Sequence, residues 1–394
     1  MSADYLPWLT PPDWSTPIIE RLEWKTDVLT AFNGSEQRIA LRQTPRRWFE
    51  FAILLEGESV RREFEGMLWS WGAKPWALPI WTDATATTAS TLSGANSVSV
   101  DTATFDFYAD GMAMLLHNNE YELLQVLDVA GDHLTLAQPT ARAWSAGTMI
   151  IPVRIAYLEP SQQVSRFKGD TLYGTVRMML DDVNDHPAES ATDTYRGYPV
   201  LTTPSDWTAD LTVDYLRKMQ TVDFGVGGVY RDDESGQPAL ISSHHWTLDS
   251  RANIAAFRSF LYARRGRLSA AWLPSFLSDL SLAAPITASA TQISIEHCKY
   301  TDLYNLKRNR RDIRIELTSG VVLYRRITAC TEVSGTIEQL TLNAALGVDV
   351  GISDIERISF MTFSRLDADA IELAWRWGDL VEAKMNWRTT NDDV

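Results

Sequence analysis

Apolar residues recur with a helical period in two stretches of the chain. Ile254, Phe257, Leu261 and Arg264 keep one face, with Ala256 and Phe260 beside it. Asp249 or Ser250 can cap the start of this helix, and Gly266 its end. Val60, Phe64, Leu68 and Trp71 repeat the pattern, with Gly72 as the residue just past the helix. Most other apolar positions fall in short alternating runs, the period of half-buried strands. In the first part of the chain these are Asn96–Asp101, Ala113–Leu116, Glu122–Val129, His133–Leu136, Met149–Tyr157 and Leu172–Leu180. In the second they are Gln292–Glu296, Asp312–Leu317, Val321–Thr328, Gln339–Leu342 and Leu380–Trp387.

Turn residues punctuate the runs. Val28–Phe32 meets Asn33-Gly34, the strongest short hairpin signal, and returns through Arg38–Arg42 into Trp48–Leu55. Val222–Tyr230 leads into Asp232-Asp233-Glu234-Ser235-Gly236 and returns through Leu240–Leu248. Gly225-Val226-Gly227-Gly228 is followed by no helix start, so it reads as strand glycines at a bulge and not as a phosphate loop.

The two parts resemble each other in order and in residues. Asp13-Trp14 recurs as Asp206-Trp207 and Phe64 as Phe257, each 193 residues on. Leu78-Pro79 recurs as Leu273-Pro274, and Val98 and Val100 as Ile293 and Ile295, 195 residues on. Thr135-Leu136 matches Thr341-Leu342, Tyr157 matches Phe363 and Met179 matches Met385, 206 residues on. The offset only grows, and it grows inside polar loops, as insertions into a diverged duplication would make it.

The expected fold class is therefore mainly β with one helix per repeat, built from sandwich or barrel units. A Pro- and Trp-rich arm occupies residues 1–24, too proline-rich to be helical. The first repeat spans 25–185 with a small β-barrel module at about 84–150. A turn-rich linker covers 186–198, and the second repeat spans 199–394 with its module at about 280–360.

Composition narrows the function. The chain has 394 residues and a net charge of −15, which argues against a general nucleic-acid binder. No apolar run is long enough for a membrane span, and the start MSADYLPWLTPP lacks the features of a signal peptide. The chain carries 15 Trp, and nearly all its cations are Arg; both residue types favour protein–protein interfaces. Trp8, Trp14, Trp24 and Trp207 are the expected interface anchors, because the arms hold too few local partners to build a core.

Chemistry is sparse. His297, Cys298 and Cys330 supply three loosely spaced donors where a zinc site wants four. Free thiols are expected at Cys298 and Cys330, although both fall at strand ends and a disulfide between them stays open. No G-x-S-x-G elbow exists. No cofactor, metal or catalytic residue is expected. Asp13 and Asp206 each precede a Trp, the pairing a sugar site would use, so a carbohydrate-binding or carbohydrate-degrading role is the alternative.

The order of hairpin, long strand, single helix and closing strand resembles the tail-tube fold of long-tailed bacteriophages. Ala255-Ala256-Phe257-Arg258-Ser259-Phe260-Leu261-Tyr262-Ala263-Arg264-Arg265-Gly266-Arg267, followed by Trp272-Leu273-Pro274-Ser275, looks like the helix and turn of phage minor and distal tail proteins. Asn33-Gly34-Ser35-Glu36-Gln37-Arg38 followed by Pro45-Arg46-Arg47-Trp48 looks like their hairpin entry. Tube subunits usually carry one unit, and this chain carries two with an extra module each, a pattern more similar to distal tail, baseplate or hub proteins.

The resemblance implies a non-enzymatic ring at the tail tip, joining the tail tube protein to hub or fibre proteins. DNA would pass through without specific binding and without membrane insertion. Such a protein assembles in the host cytoplasm and ends in the virion tail. Three copies per ring are favoured over six, since both repeats keep their arm, hairpin and helix. Asn33, Gly34, Arg38 and Arg42 of one hairpin, and Asp232, Asp233 and Glu234 of the other, are the expected channel and ring contacts, pairing by charge. A chain that buried both arms in itself would instead suit a free-standing adaptor.

Overall fold

The computed structural model describes residues 5–31, 34–118, 120–181, 186–188, 193–233 and 236–392. It is mainly β, with 47% strand and 10% helix. The first half contributes β1 (Ile18–Glu23), β2 (Arg46–Glu56), α1 (Glu58–Trp71), β3 (Trp76–Pro79), β4 (Met149–Leu158), β5 (Val164–Arg166) and β6 (Thr171–Leu180). The second contributes β7 (Thr212–Leu216), β8 (Ala239–Leu248), α2 (Arg251–Arg264), β9 (Ala271–Pro274), β10 (Ile355–Leu366), β11 (Ala370–Trp377) and β12 (Leu380–Thr389).

Eight of these strands form one antiparallel strip in the order β7–β8–β12–β11–β1–β2–β6–β5, and β3 pairs with β4 and β9 with β10 beside it. The strip is open: among the described residues no barrel closes, so the barrel part of the expected fold class is not met. Alternation sets the inner face. Phe49, Phe51, Ile53 and Leu55 of β2 point inward, as do Trp246 and Leu248 of β8 and Val381, Ala383, Met385 and Trp387 of β12. The two helices cover this face, and all of it belongs to one core.

Between helix and closing strand each half builds a separate small core. Val98, Leu115, Leu134, Leu136 and Ile150 gather in one, and Ile293, Ile313, Ile315, Leu340 and Ile358 in the other. In the second, the buried Glu338 carboxylate accepts backbone N–H bonds from Cys298 (3.0 Å), Tyr300 (2.9 Å) and Thr301 (2.7 Å). Burial pushes that carboxyl up, but these donors outweigh it and hold it at about 2.

The halves run through the same pairings. Trp8 N–H donates to Ala77 O and Leu201 N–H to Trp272 O, both at 2.9 Å. Asp13 N–H reaches Ala52 O at 2.7 Å, and Asp206 N–H reaches His245 O at 2.8 Å. The Asp13 and Asp206 carboxylates each accept the N–H two residues on, from Ser15 and Thr208, at 3.0 Å. Leu172 stands opposite Leu55 as Val381 stands opposite Leu248. Two of the late sequence matches are displaced. Phe363 faces Trp272 as Ile155 faces Ala77, and Met385 faces His244 as Val176 faces Phe51. Tyr157 and Met179 are therefore not their counterparts.

Local signals are met unevenly. Ser250 caps α2, accepting from Asn253 N–H at 3.3 Å, and Arg265 and Gly266 end it with positive φ. A Cβ at Gly266 would lie 2.6 Å from Asp369 Oδ1 and 3.2 Å from Trp24 Cβ, so space and backbone both require glycine there. Gly72 instead keeps a right-handed helical conformation at the end of α1. The expected linker is partly ordered: Thr194–Tyr195 pairs with Tyr198–Pro199, and Tyr195 is buried against Trp272.

Candidate assembly interface

The strip joins its halves at one place. β1 of the first half pairs with β11 of the second over six residues, from Ile18 opposite Trp375 to Glu23 opposite Ala370. Behind the joint lies a buried chain of charges. Glu20 on β1 accepts from Arg47 Nε at 2.7 Å, Arg258 Nη2 at 3.1 Å and Trp375 Nε1 at 2.8 Å. Asp106 accepts from Arg154 at 2.6 Å and also pairs with Arg47. Asp83 meets Arg251 at 3.2 Å and Arg258 at 3.7 Å.

Isolated charges would not survive there, and pairing keeps these ionised. Burial pushes the Glu20 carboxyl up, but Arg258 and Arg47 outweigh it and hold it below the ordinary range. Burial acts likewise on Asp106, where Arg47 and Arg154 win by more. Arg258 is drawn up by Glu20 and Asp83 in spite of its own burial. Arg251, Arg258 and Trp375 come from the second half, so the network is complete only when the halves are seated.

Further contacts fasten the same joint. Asp369 accepts from Thr26 N–H at 2.7 Å and Arg267 N–H at 2.9 Å. Arg365 holds Glu36 bidentately, both bonds at 2.7 Å. Tyr262 of α2 meets Trp24 edge-on at 5.5 Å, and Trp14 packs on Trp377 at 5.2 Å.

The expected anchors thus divide. Trp8 and Trp24 are buried in their own chain, Trp8 against Phe51, Phe64 and Trp76. They offer no surface to a neighbour, because the arm pairs with β3 and finds its partners within the chain. Trp14 lies at the intrachain joint, and Trp207 is 71% exposed.

The expected hairpin contacts divide as well. Thr26–Thr30 pairs with Glu36–Ala40 around Gly34, while Asn33 lies outside the described residues. Arg38 pairs with Asp392, and Arg42 donates to Glu23 O at 2.6 Å. In the second hairpin Met219–Val222 pairs with Tyr230–Asp233, so Gly225–Gly228 form the tip and not a bulge. Asp232 and Asp233 lie in the returning strand, Asp233 pairs with Arg217, and Glu234 lies outside the described residues. Within the chain, Arg38 and Asp233 therefore each take a partner outside the opposite hairpin.

Sequence reasoning missed Glu20 and Arg47. The signal was present: Glu20 sits between Ile18 and Leu22 on the inward positions of β1, and Arg47 heads the inward run Phe49, Phe51, Ile53, Leu55. A charge in phase with a buried face marks a paired network.

Cys298 and Cys330 are free thiols. Among the described residues no group of three or more His, Cys, Asp and Glu side chains could hold a metal ion. Among them, too, no helix is long and apolar enough to cross a membrane. In comparison with known proteins, no family model matches the chain and no curated protein matches it.

Proposed function

We propose that this chain is a non-enzymatic structural subunit of the tail tip of a long-tailed bacteriophage. Two tandem units, related by an ancient duplication and similar to the tail-tube fold, would form part of a ring around a DNA channel. The observation that carries this reading is the joint itself. Two units with the same pairings are seated side by side through β1 and β11 in one continuous strip, which is how neighbouring positions of a ring relate. The net charge of −15 suits a channel that DNA crosses without sticking. Three chains would supply six similar positions. The tail tube protein and hub or fibre proteins are the partners above and below, in a virion tail assembled in the host cytoplasm.

Negative-stain imaging and native mass measurement of the purified chain test this. Closed rings with a central hole are expected, with a mass of three chains. A ring of six chains would replace the stoichiometry and keep the tail reading. A monomer at every concentration, with both arms buried in itself, would favour the adaptor. Saturable binding of host polysaccharide, or release of reducing ends, would favour the carbohydrate role.

A further inference from the structure

The strip has two ends, and each end is the counterpart of a surface that is covered at the joint. We propose that β7 and the cleft beside it receive β5, the Phe167 tip and the outer face of α1 from a second copy of this chain. The contact between chains would repeat the joint within the chain. This deepens the ring reading above and rests on it.

The backbone supplies the first argument. β7 holds the position of β1: Thr212 faces Ser243 on β8 as Ile19 faces Glu50 on β2. β1 has β11 on its far side, whereas β7 is exposed along its whole length and, among the described residues, pairs only with β8. An uncovered edge strand is a template for another strand. β5 holds the position of β11: Ser165 faces Tyr173 on β6 as Ala374 faces Glu382 on β12. Ile19 faces Ala374 at the joint, so the carried-over register sets Thr212 opposite Ser165 and Val213 opposite Val164 of the second copy.

Aromatic side chains supply the second. Trp14 is covered by Trp377, at the tip of the β11–β12 hairpin. Its counterpart Trp207 is 71% exposed, and Phe167 at the tip of the β5–β6 hairpin is 74% exposed. Tyr262 on α2 is buried against Trp24, while Trp69, at the matching place on α1, is 94% exposed.

The cleft supplies the third. Where the joint holds Glu20 and Arg47, this end presents Val213 and Leu240, in a cleft of about 280 Å³ that Trp207, Tyr215 and Arg310 also line. Arg251 and Arg258 of α2 meet acids at the joint; α1 carries Glu58 and Glu65 at those positions, and the cleft carries Arg310. Glu58 is already paired with Arg62, and Glu65 with Arg61 and Arg166, so the centre of this contact is apolar and its acids arrive with partners in place.

A pair of single-face variants of the full chain tests the proposal by sedimentation velocity and native mass. Trp207→Asp with Tyr215→Lys blocks one end; Phe167→Lys with Trp69→Lys blocks the other. All four positions are exposed, so both variants should melt within a few degrees of the parent. Each alone should associate at least tenfold more weakly than the parent. Mixed in equal amounts they should form a 1:1 dimer and nothing larger, because each retains one working end. A parent that assembles while either variant assembles equally well would overturn this interface and leave the ring reading standing. A parent that never assembles would overturn both. As an independent check, Thr212→Cys with Ser165→Cys, in a Cys298→Ser and Cys330→Ser background, should cross-link between chains on oxidation. A ring of the parent whose cysteine variant yields no cross-link would count against the register.

Discussion

α1 and α2 have the same length, follow strands at matching places in their halves and pack on the same sheet, yet they are buried to very different extents. In α1 only Phe64 is buried, whereas α2 buries Ile254, Phe257, Arg258, Phe260, Leu261, Tyr262 and Arg264. The difference lies in the neighbours. α2 is wedged between its own sheet and the first half, so its outward Arg258 and Tyr262 find partners there. α1 stands at the free end of the strip. β1 and β7 repeat the lesson, one covered on both edges and the other on one. A polar residue is stable inside when its partner comes with it, and an apolar residue stays outside when its partner belongs to another molecule.

The comparison can be broken most severely in the charge network. Arg258→Met should cost about 3–5 kcal/mol in urea unfolding, because Glu20 stays buried with its charge undercompensated. Glu65→Gln, at the same place on α1, should cost no more than about 1 kcal/mol, because it gives up only partly exposed pairs with Arg61 and Arg166. Equal losses from the two substitutions would mean that the helices are not differently seated.

The arms give the next contrast. Trp8→Ala empties a site packed by three aromatic rings and should cost about 3–5 kcal/mol. Trp207→Ala should change folding stability by no more than about 0.5 kcal/mol, since its side chain is largely in water. Thermal melts of the two variants settle this.

Acid separates the halves more gently. His244 occupies the place of Phe51, and burial lowers it to about 4 from an ordinary 6.5. The unfolded chain takes up this proton first, so the stability contributed is complete above about pH 6.5 and is lost as pH falls toward 4. His244→Phe should flatten that limb of the stability–pH curve measured by denaturant titration. An unchanged slope would place the acid sensitivity elsewhere.

The smallest effect is expected at the second hairpin. Both its strands are almost wholly exposed, and its tip carries Gly225, Gly227 and Gly228. Replacing residues 223–229 with Asn-Gly should shift stability by about 1 kcal/mol or less in a urea titration. A large loss would show that the tip is packed.

Much of the fold was legible because local chemistry decided it. The helical face around Phe257, the Ser250 cap and the pairing of Thr26–Thr30 with Glu36–Ala40 are short-range signals, and some strands after each helix alternate, as His133–Leu136 and Ile337–Leu342 do. β1 was not legible. Its six residues IIERLE alternate, but prolines precede them and Glu20, Arg21 and Glu23 suggest a solvated arm. What buries β1 is a strand more than 340 residues away. The second hairpin was misplaced because the acidic run 232–236 imitates a turn, while the true tip is a glycine cluster.

The pairing of β1 with β11 also sets a clock. Ribosomes add about 5–20 residues per second, so roughly 350 residues of further synthesis leave β1 waiting for some tens of seconds. During that interval Glu20 and Arg47 have each other but lack Arg258 and Trp375, and the outer edge of β1 is open to any strand that passes. A nascent chain of this design therefore exposes the outer edge of β1 to its neighbours on the same messenger until β11 has been made.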